Sequence, residues 1–125
     1  MKLDSLDKLF SEYIRKRAMR DTGGCERCHA GKRNYKQLQC SHFHGRRKRS
    51  VRFDEDNACG ICAACHMYLG ANPAEHVRFF QERLSMTAFE NLQIRAQFKH
   101  KIDESAVALY LREKLKELEN GQGSR

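Results

Sequence analysis

The sequence predicts an α+β fold: a small metal-stapled core held between N- and C-terminal helices. Three observations point there. Two cysteine pairs with two-residue gaps, Cys25/Cys28 and Cys62/Cys65, lie 34 positions apart (28 to 62). The chain from Cys25 to about Phe53 has no helical period, and the stretches on either side do. A length of 125 residues suits one ordinary domain rather than two large ones.

Each flank carries its own signal. Leu3, Leu6, Leu9, Phe10, Tyr13, Ile14 and Ala18 recur at three- and four-residue intervals, with Gly23-Gly24 beyond them, which predicts an amphipathic helix over 3–18 inside an N-terminal segment 1–22. The short runs Tyr35–Phe43, between Gly31 and Gly45, and Ser50–Phe53 read as a β-hairpin or two loosely paired strands behind a cysteine knuckle. A short helix is expected from about Cys62 to a stop at Gly70, closing a core over 23–86. Asn72-Pro73-Ala74-Glu75 then gives a cap, a proline at the first helical position and an early acid, which opens a helix to about Leu84. Thr87-Ala88-Phe89-Glu90 reads as a capping box for the next helix, and Asp103 as the cap of a last one ending before Gly121, within a C-terminal segment 87–120. On that last helix Val107, Leu111, Leu115 and Leu118 form one stripe, suited to the N-terminal helix or to a second copy of the chain, so the protein is expected as a monomer or a homodimer. The tail from Gly121 to Arg125 is expected to fray.

Composition limits the function. Charged residues make up 32% of the chain and leave a net +8, so a polyanion, DNA above all, is the natural partner. No run approaches the ~20 apolar residues needed to span a bilayer, and the N-terminus lacks the blocks of a secretory signal. The expectation is a soluble, cytoplasmic protein without membrane contact. Six cysteines in such a compartment argue against three disulfides and for metal. Two CxxC turns supply four thiolates in tetrahedral reach of one zinc ion, closing its shell and making it structural. Cys59 with Cys62 forms a competing CxxC, while Cys40 stands alone.

The histidines carry the chemistry. His42 and His44 alternate in Cys40-Ser41-His42-Phe43-His44, so on an extended strand both imidazoles would share a face. Asn57 follows His42 by fifteen positions, and His66, directly after Cys65, follows Asn57 by nine. Here the chain resembles the HNH nucleases and their ββα-metal motif. The segment from Asn57 to His66 matches the second half of that motif, which selects the Cys62/Cys65 pair and leaves Cys40 and Cys59 as buried thiols. Ser41-His42-Phe43, Arg52-Phe53-Asp54-Glu55-Asp56-Asn57 and Leu69-Gly70-Ala71-Asn72 are also similar to the NinG (Rap) recombination nucleases of phages, and to zinc-ribbon HNH nicking enzymes of phages and prophages. The resemblance covers about residues 25–80.

That resemblance implies a divalent-metal-dependent DNA endonuclease, with Mg²⁺ or Mn²⁺ at the catalytic site, leaving 5′-phosphate and 3′-hydroxyl ends and nicking one strand per site. His42 would be the general base, since an imidazole with a free pKa of ~6.5 can take a proton from water near neutrality. His66 would hold the catalytic ion, close to His42, and Asn57 would brace the loop or orient the base. Ser41 stands where many HNH enzymes place an aspartate or histidine ligand, so His44 is the substitute, with Asp54 and Asp56 behind it. His76 and His100 read as surface residues, and Asn72 as a helix cap. Arg46, Arg47, Lys48, Arg49 and Arg52 crowd into eight positions after the histidine strand and would clamp a phosphate backbone. The competing expectation is a zinc-dependent nucleic-acid-binding module without cleavage. RNA cleavage or a purely structural phage role has less behind it, because the stacking motifs of common RNA-binding modules are absent.

Overall fold

The structure, a computed structural model, describes residues 2–121. It is α+β, with five helices around a two-stranded antiparallel sheet among the described residues. Helix α1 covers Leu3–Thr22 and stops at Gly23, whose φ of 75° lets its N–H reach back to Met19 O at 2.9 Å. A knuckle closed by the Gly24–Gly31 bridge leads to strand β1, Gln39–His42. Strand β2, Ala58–Ile61, pairs with it in the register Gln39 to Ile61, Cys40 to Gly60, Ser41 to Cys59 and His42 to Ala58. Helices α2 (Ala63–Ala71), α3 (Pro73–Arg83), α4 (Met86–Ala96) and α5 (Glu104–Glu119) complete the chain.

The sheet is too small to be a layer alone, and both faces are covered. Alternation puts Cys40, His42, Ala58 and Gly60 on one face. That face meets α1, and α5 packs behind it: Phe10, Tyr13, Ile14, Ala58, Leu111 and Leu115 form one buried cluster, with Val107 and Leu118 against it. The apolar stripe of α5 is thus covered by α1. Gly60 is needed here, because a Cβ at that position would lie 2.8 Å from Ala18 Cβ. Gln39, Ser41, Cys59 and Ile61 make the other face, where Cys59 and Ile61 pack with Leu69 of α2 and Phe80 of α3. A third cluster of Val51, Leu92 and Ala96 pins the long β1–β2 connection to α4.

Several local expectations change. The second strand is not Ser50–Phe53, which winds as a 3-10 turn over Arg49–Val51 so that Val51 can plug against Leu92. The true partner is Ala58–Ile61, buried at all four positions and therefore without the alternating pattern that marks a half-exposed strand. Gly70 does not stop α2, since Gly23 and Gly121 are the described glycines with positive φ. Asn72 ends α2 instead, its amide Nδ2 donating to Tyr68 O at 2.8 Å rather than its side chain capping α3. The cap of α4 is Ser85, which accepts from Ala88 N at 3.0 Å, not Thr87. Asp103 does cap α5, accepting from Ala106 N at 3.0 Å. Residues 122–125, expected to fray, lie outside the described residues.

Candidate functional site

The knuckle and the start of α2 converge on one point. The Sγ atoms of Cys25, Cys28, Cys62 and Cys65 all lie within 4.8 Å of one another. Cys28 and Cys62 are 3.9 Å apart, and a tetrahedral shell with Zn–S bonds of ~2.3 Å has edges of about 3.8 Å. The donor set therefore fits a structural zinc ion. Backbone geometry prepares it: His29 adopts a φ of 64° and donates to Cys25 O at 2.9 Å, while Cys25 N donates to Ala30 O at 3.1 Å. Burial alone would raise the Cys25 thiol, but hydrogen bonds from backbone groups of Cys28, Cys62 and Arg27 bring it down to about 7. Glu26 ties the knuckle to the rest, accepting from Gly60 N at 2.6 Å and from Arg83 Nε at 2.7 Å. Cys59 stays outside the cluster, which resolves the competing pair in favour of Cys62/Cys65. Cys40 and Cys59 are thiols that burial keeps protonated, Cys40 at about 12.

Asn57 organises the connection after β1. Fully buried, its Nδ2 donates to His44 O at 2.9 Å and Val51 O at 3.0 Å, while its Oδ1 accepts from His44 N at 2.8 Å. Phe43 N donates to Asn57 O at 2.8 Å. One amide thus satisfies three backbone groups of a loop that has no ladder of its own, and fixes how the chain leaves His42.

His42 lies on the α1 face. Its ring centroid is 5.6 Å from that of Phe10, and its Nε2 is buried without a hydrogen-bond partner. Burial lowers its pKa, a backbone group of Arg52 opposes that, and the charge of Arg46 lowers it again, with Asp7 acting the other way. Burial, the largest of these influences, favours the neutral imidazole. Around it Arg52 grips Asp7 through two contacts of 3.1 and 2.6 Å, and Arg46 touches the same carboxylate at 3.8 Å. Asp7 and Arg46 belong to a cleft of about 390 Å³ that Lys8 and Arg15 also line.

His66 lies on the other face. Its Nδ1 is 2.6 Å from Oε1 of Gln39, a residue whose side chain points away from the His42 side by strand alternation. The structure does not bring His42 and His66 together: the hairpin stands between them. His44 does not join His42 either, because β1 ends at His42 and alternation stops there. The His44 ring meets Gln93 Oε1 through Nε2 at 2.8 Å and stacks edge-on against Phe43 at 4.9 Å. Asp54 is held by Arg95 at 2.6 and 3.1 Å, while Asp56 meets it through one oxygen at 3.4 Å and keeps a side chain 41% exposed. His76 is not a plain surface residue: it packs against Phe43 and Phe80 at 5.4 Å each, with its Nε2 buried and unpartnered. Burial, and then the charge of His66, lowers its pKa. His100 is exposed.

Comparison with known protein families, with curated proteins and with solved structures finds no match.

Of the basic run, Arg52 and Arg46 serve the fold through Asp7, whereas Arg47, Lys48 and Arg49 are exposed. Sequence reasoning missed Asp7 and Gln39, which the fold delivers to the histidines from distant segments and which carry no local signature. It also missed Lys99 and Lys101, a short charge run after α4 that could have been paired with Arg47–Arg49. Among the described residues no helix is long and apolar enough to cross a membrane.

Proposed function

We propose that the chain is a metal-dependent DNA endonuclease of the HNH type, hydrolysing one phosphodiester bond per active site to 5′-phosphate and 3′-hydroxyl ends. The observation that carries this reading is the state of His42: an imidazole whose neutral form burial favours, with an uncommitted Nε2, at a strand end whose exit Asn57 locks. A general base needs that state; His76 shares it, but His76 lies between Phe43 and Phe80, whereas His42 lies beside the charges of Asp7, Arg46 and Arg52. Arg46, with a side chain 63% exposed and its Asp7 contact at 3.8 Å, is the loosest piece around it. For Nε2 to meet a water molecule, the loop carrying Arg46 has to shift as DNA binds. The ion that neutralises the growing phosphate charge would be Mg²⁺ or Mn²⁺. Mg²⁺ commonly binds through one or two carboxylates plus substrate phosphates; the carboxylate on the His42 face is Asp7, both of whose oxygens Arg52 holds, so Arg52 would have to release one for an ion to bind there. The four thiolates would hold zinc and keep the knuckle on α2.

A second reading, zinc-dependent DNA binding without cleavage, is favoured by the hairpin that separates His42 from His66. Incubation of the zinc-loaded protein with supercoiled plasmid and Mg²⁺ or Mn²⁺ decides between them. The nuclease reading expects open circles; plasmid retarded in a gel but still supercoiled leaves the binding reading.

A further inference from the structure

The loop after β1 and the segment joining α4 to α5 enclose a cleft of about 660 Å³, within the range of roughly 300–1,000 Å³ typical of sites for molecules of about nucleotide size. Arg47, Lys48 and Arg49 line one side, and Lys99 and Lys101 the other. No carboxylate lines it, and among the described residues none of these five cations is in an ion pair. Five uncompensated positive charges around one concavity raise the local concentration of a polyanion strongly. Phe98 sits in the same cleft, 57% exposed and without an aromatic partner among the described residues. An unpaired aromatic ring among cations is a poor arrangement for folding and a good one for stacking a base above a phosphate backbone.

From this we propose that the cleft holds a single strand of DNA, with its phosphates on Arg47, Lys48, Arg49, Lys99 and Lys101 and one unpaired base stacked on Phe98. The proposal rests on the DNA-binding reading above and adds which form of DNA this part of the protein takes. Inside a duplex the neighbours cover both faces of every base, so away from duplex ends only an unstacked nucleotide can use the ring. The first of the three loop cations, Arg47, follows His42 by five positions in the chain.

The chain contains no tryptophan, which makes Phe98→Trp a clean reporter. The zinc-loaded protein is titrated with a 20-nucleotide oligo-dT and with a relaxed closed-circular duplex, which has no ends, without Mg²⁺ or Mn²⁺ so that nothing is cut. Stacking predicts that oligo-dT quenches the fluorescence of F98W while the duplex leaves it unchanged. Phe98→Ala should weaken oligo-dT binding about tenfold and duplex binding less than twofold. Lys99→Gln with Lys101→Gln should flatten the salt dependence of oligo-dT binding by about 1.4 in log–log slope, ~0.7 for each phosphate that is no longer neutralised. Equal weakening of both ligands by F98A, or an F98W signal indifferent to oligo-dT in a protein that still binds duplex, overturns the cleft and leaves the DNA reading intact. Quenching by oligo-dT in a protein that never nicks plasmid supports the cleft and removes the nuclease reading alone.

Discussion

The four cysteines and the three motif positions His42, Asn57 and His66 are equally conspicuous in the sequence, and the structure treats them differently. The thiolates converge: two CxxC turns are local geometries, and any fold that brings the knuckle to the start of α2 assembles the cluster. The imidazoles do not converge, because whether they can is decided by strand parity. His42 and Gln39 are three positions apart on β1, so they point to opposite faces, and it is Gln39 that meets His66. Spacing motifs that close within one turn can be read from sequence, whereas motifs that must meet across a sheet depend on a register that spacing does not specify.

The largest effect belongs to the convergent region. Replacing Cys28 by Ser should remove zinc and most of the cooperative unfolding transition, since structural zinc contributes on the order of 10 kcal/mol to small domains of this kind. Metal analysis alongside a circular-dichroism melt checks it, and a zinc-free variant that melts like wild type would break the contrast from the cysteine side.

Asn57 tests the loop between the two regions. Asn57→Ala strands the N–H and C=O of His44 and the C=O of Val51 in a buried place. The expected loss is roughly 3 kcal/mol in urea unfolding, with zinc retained. A loss below about 0.5 kcal/mol would mean that the loop is held by something else.

A smaller effect separates the histidines from the metal. Burial lowers the pKa of His42, His44 and His76 below their usual 6.5. The unfolded chain therefore binds protons first, so this contribution is complete above pH 6.5 and is lost as pH falls through that value toward the folded pKa. His76→Phe, placed among Phe43 and Phe80, should be neutral to slightly stabilising at about pH 7.5 and should lose less stability than wild type between about pH 7.5 and 5.5. Zinc release in acid affects both proteins alike and drops out of the difference. An unchanged pH dependence would contradict the burial of this ring.

Much of the fold was legible because helices announce themselves locally. The stripe on α5 and its Asp103 cap are where the pattern places them, and α1 runs to Thr22, directly before the Gly23-Gly24 stop. The second strand was not legible: Ala58–Ile61 is buried on both faces, and Arg49–Val51 looked more strand-like while serving as a plug. Of the site, the four-cysteine cluster could be read directly. The surroundings of His42 could not, since Asp7 reaches it from α1, 35 positions earlier in the chain (7 to 42). The cleft around Phe98 was hidden for the same reason, its two cationic walls coming from segments about fifty positions apart.

The most direct test compares two single substitutions, one on each face of the hairpin, in the plasmid-nicking assay with Mn²⁺. With His42 alone as the base, His42→Ala should lower nicking at least about 100-fold while zinc content and DNA retardation stay at wild-type levels. His66→Ala, across the sheet, should keep nicking within a few-fold. Equal loss from both substitutions would mean that one ion bridges the two imidazoles after all, and would contradict the separation on which the account is built.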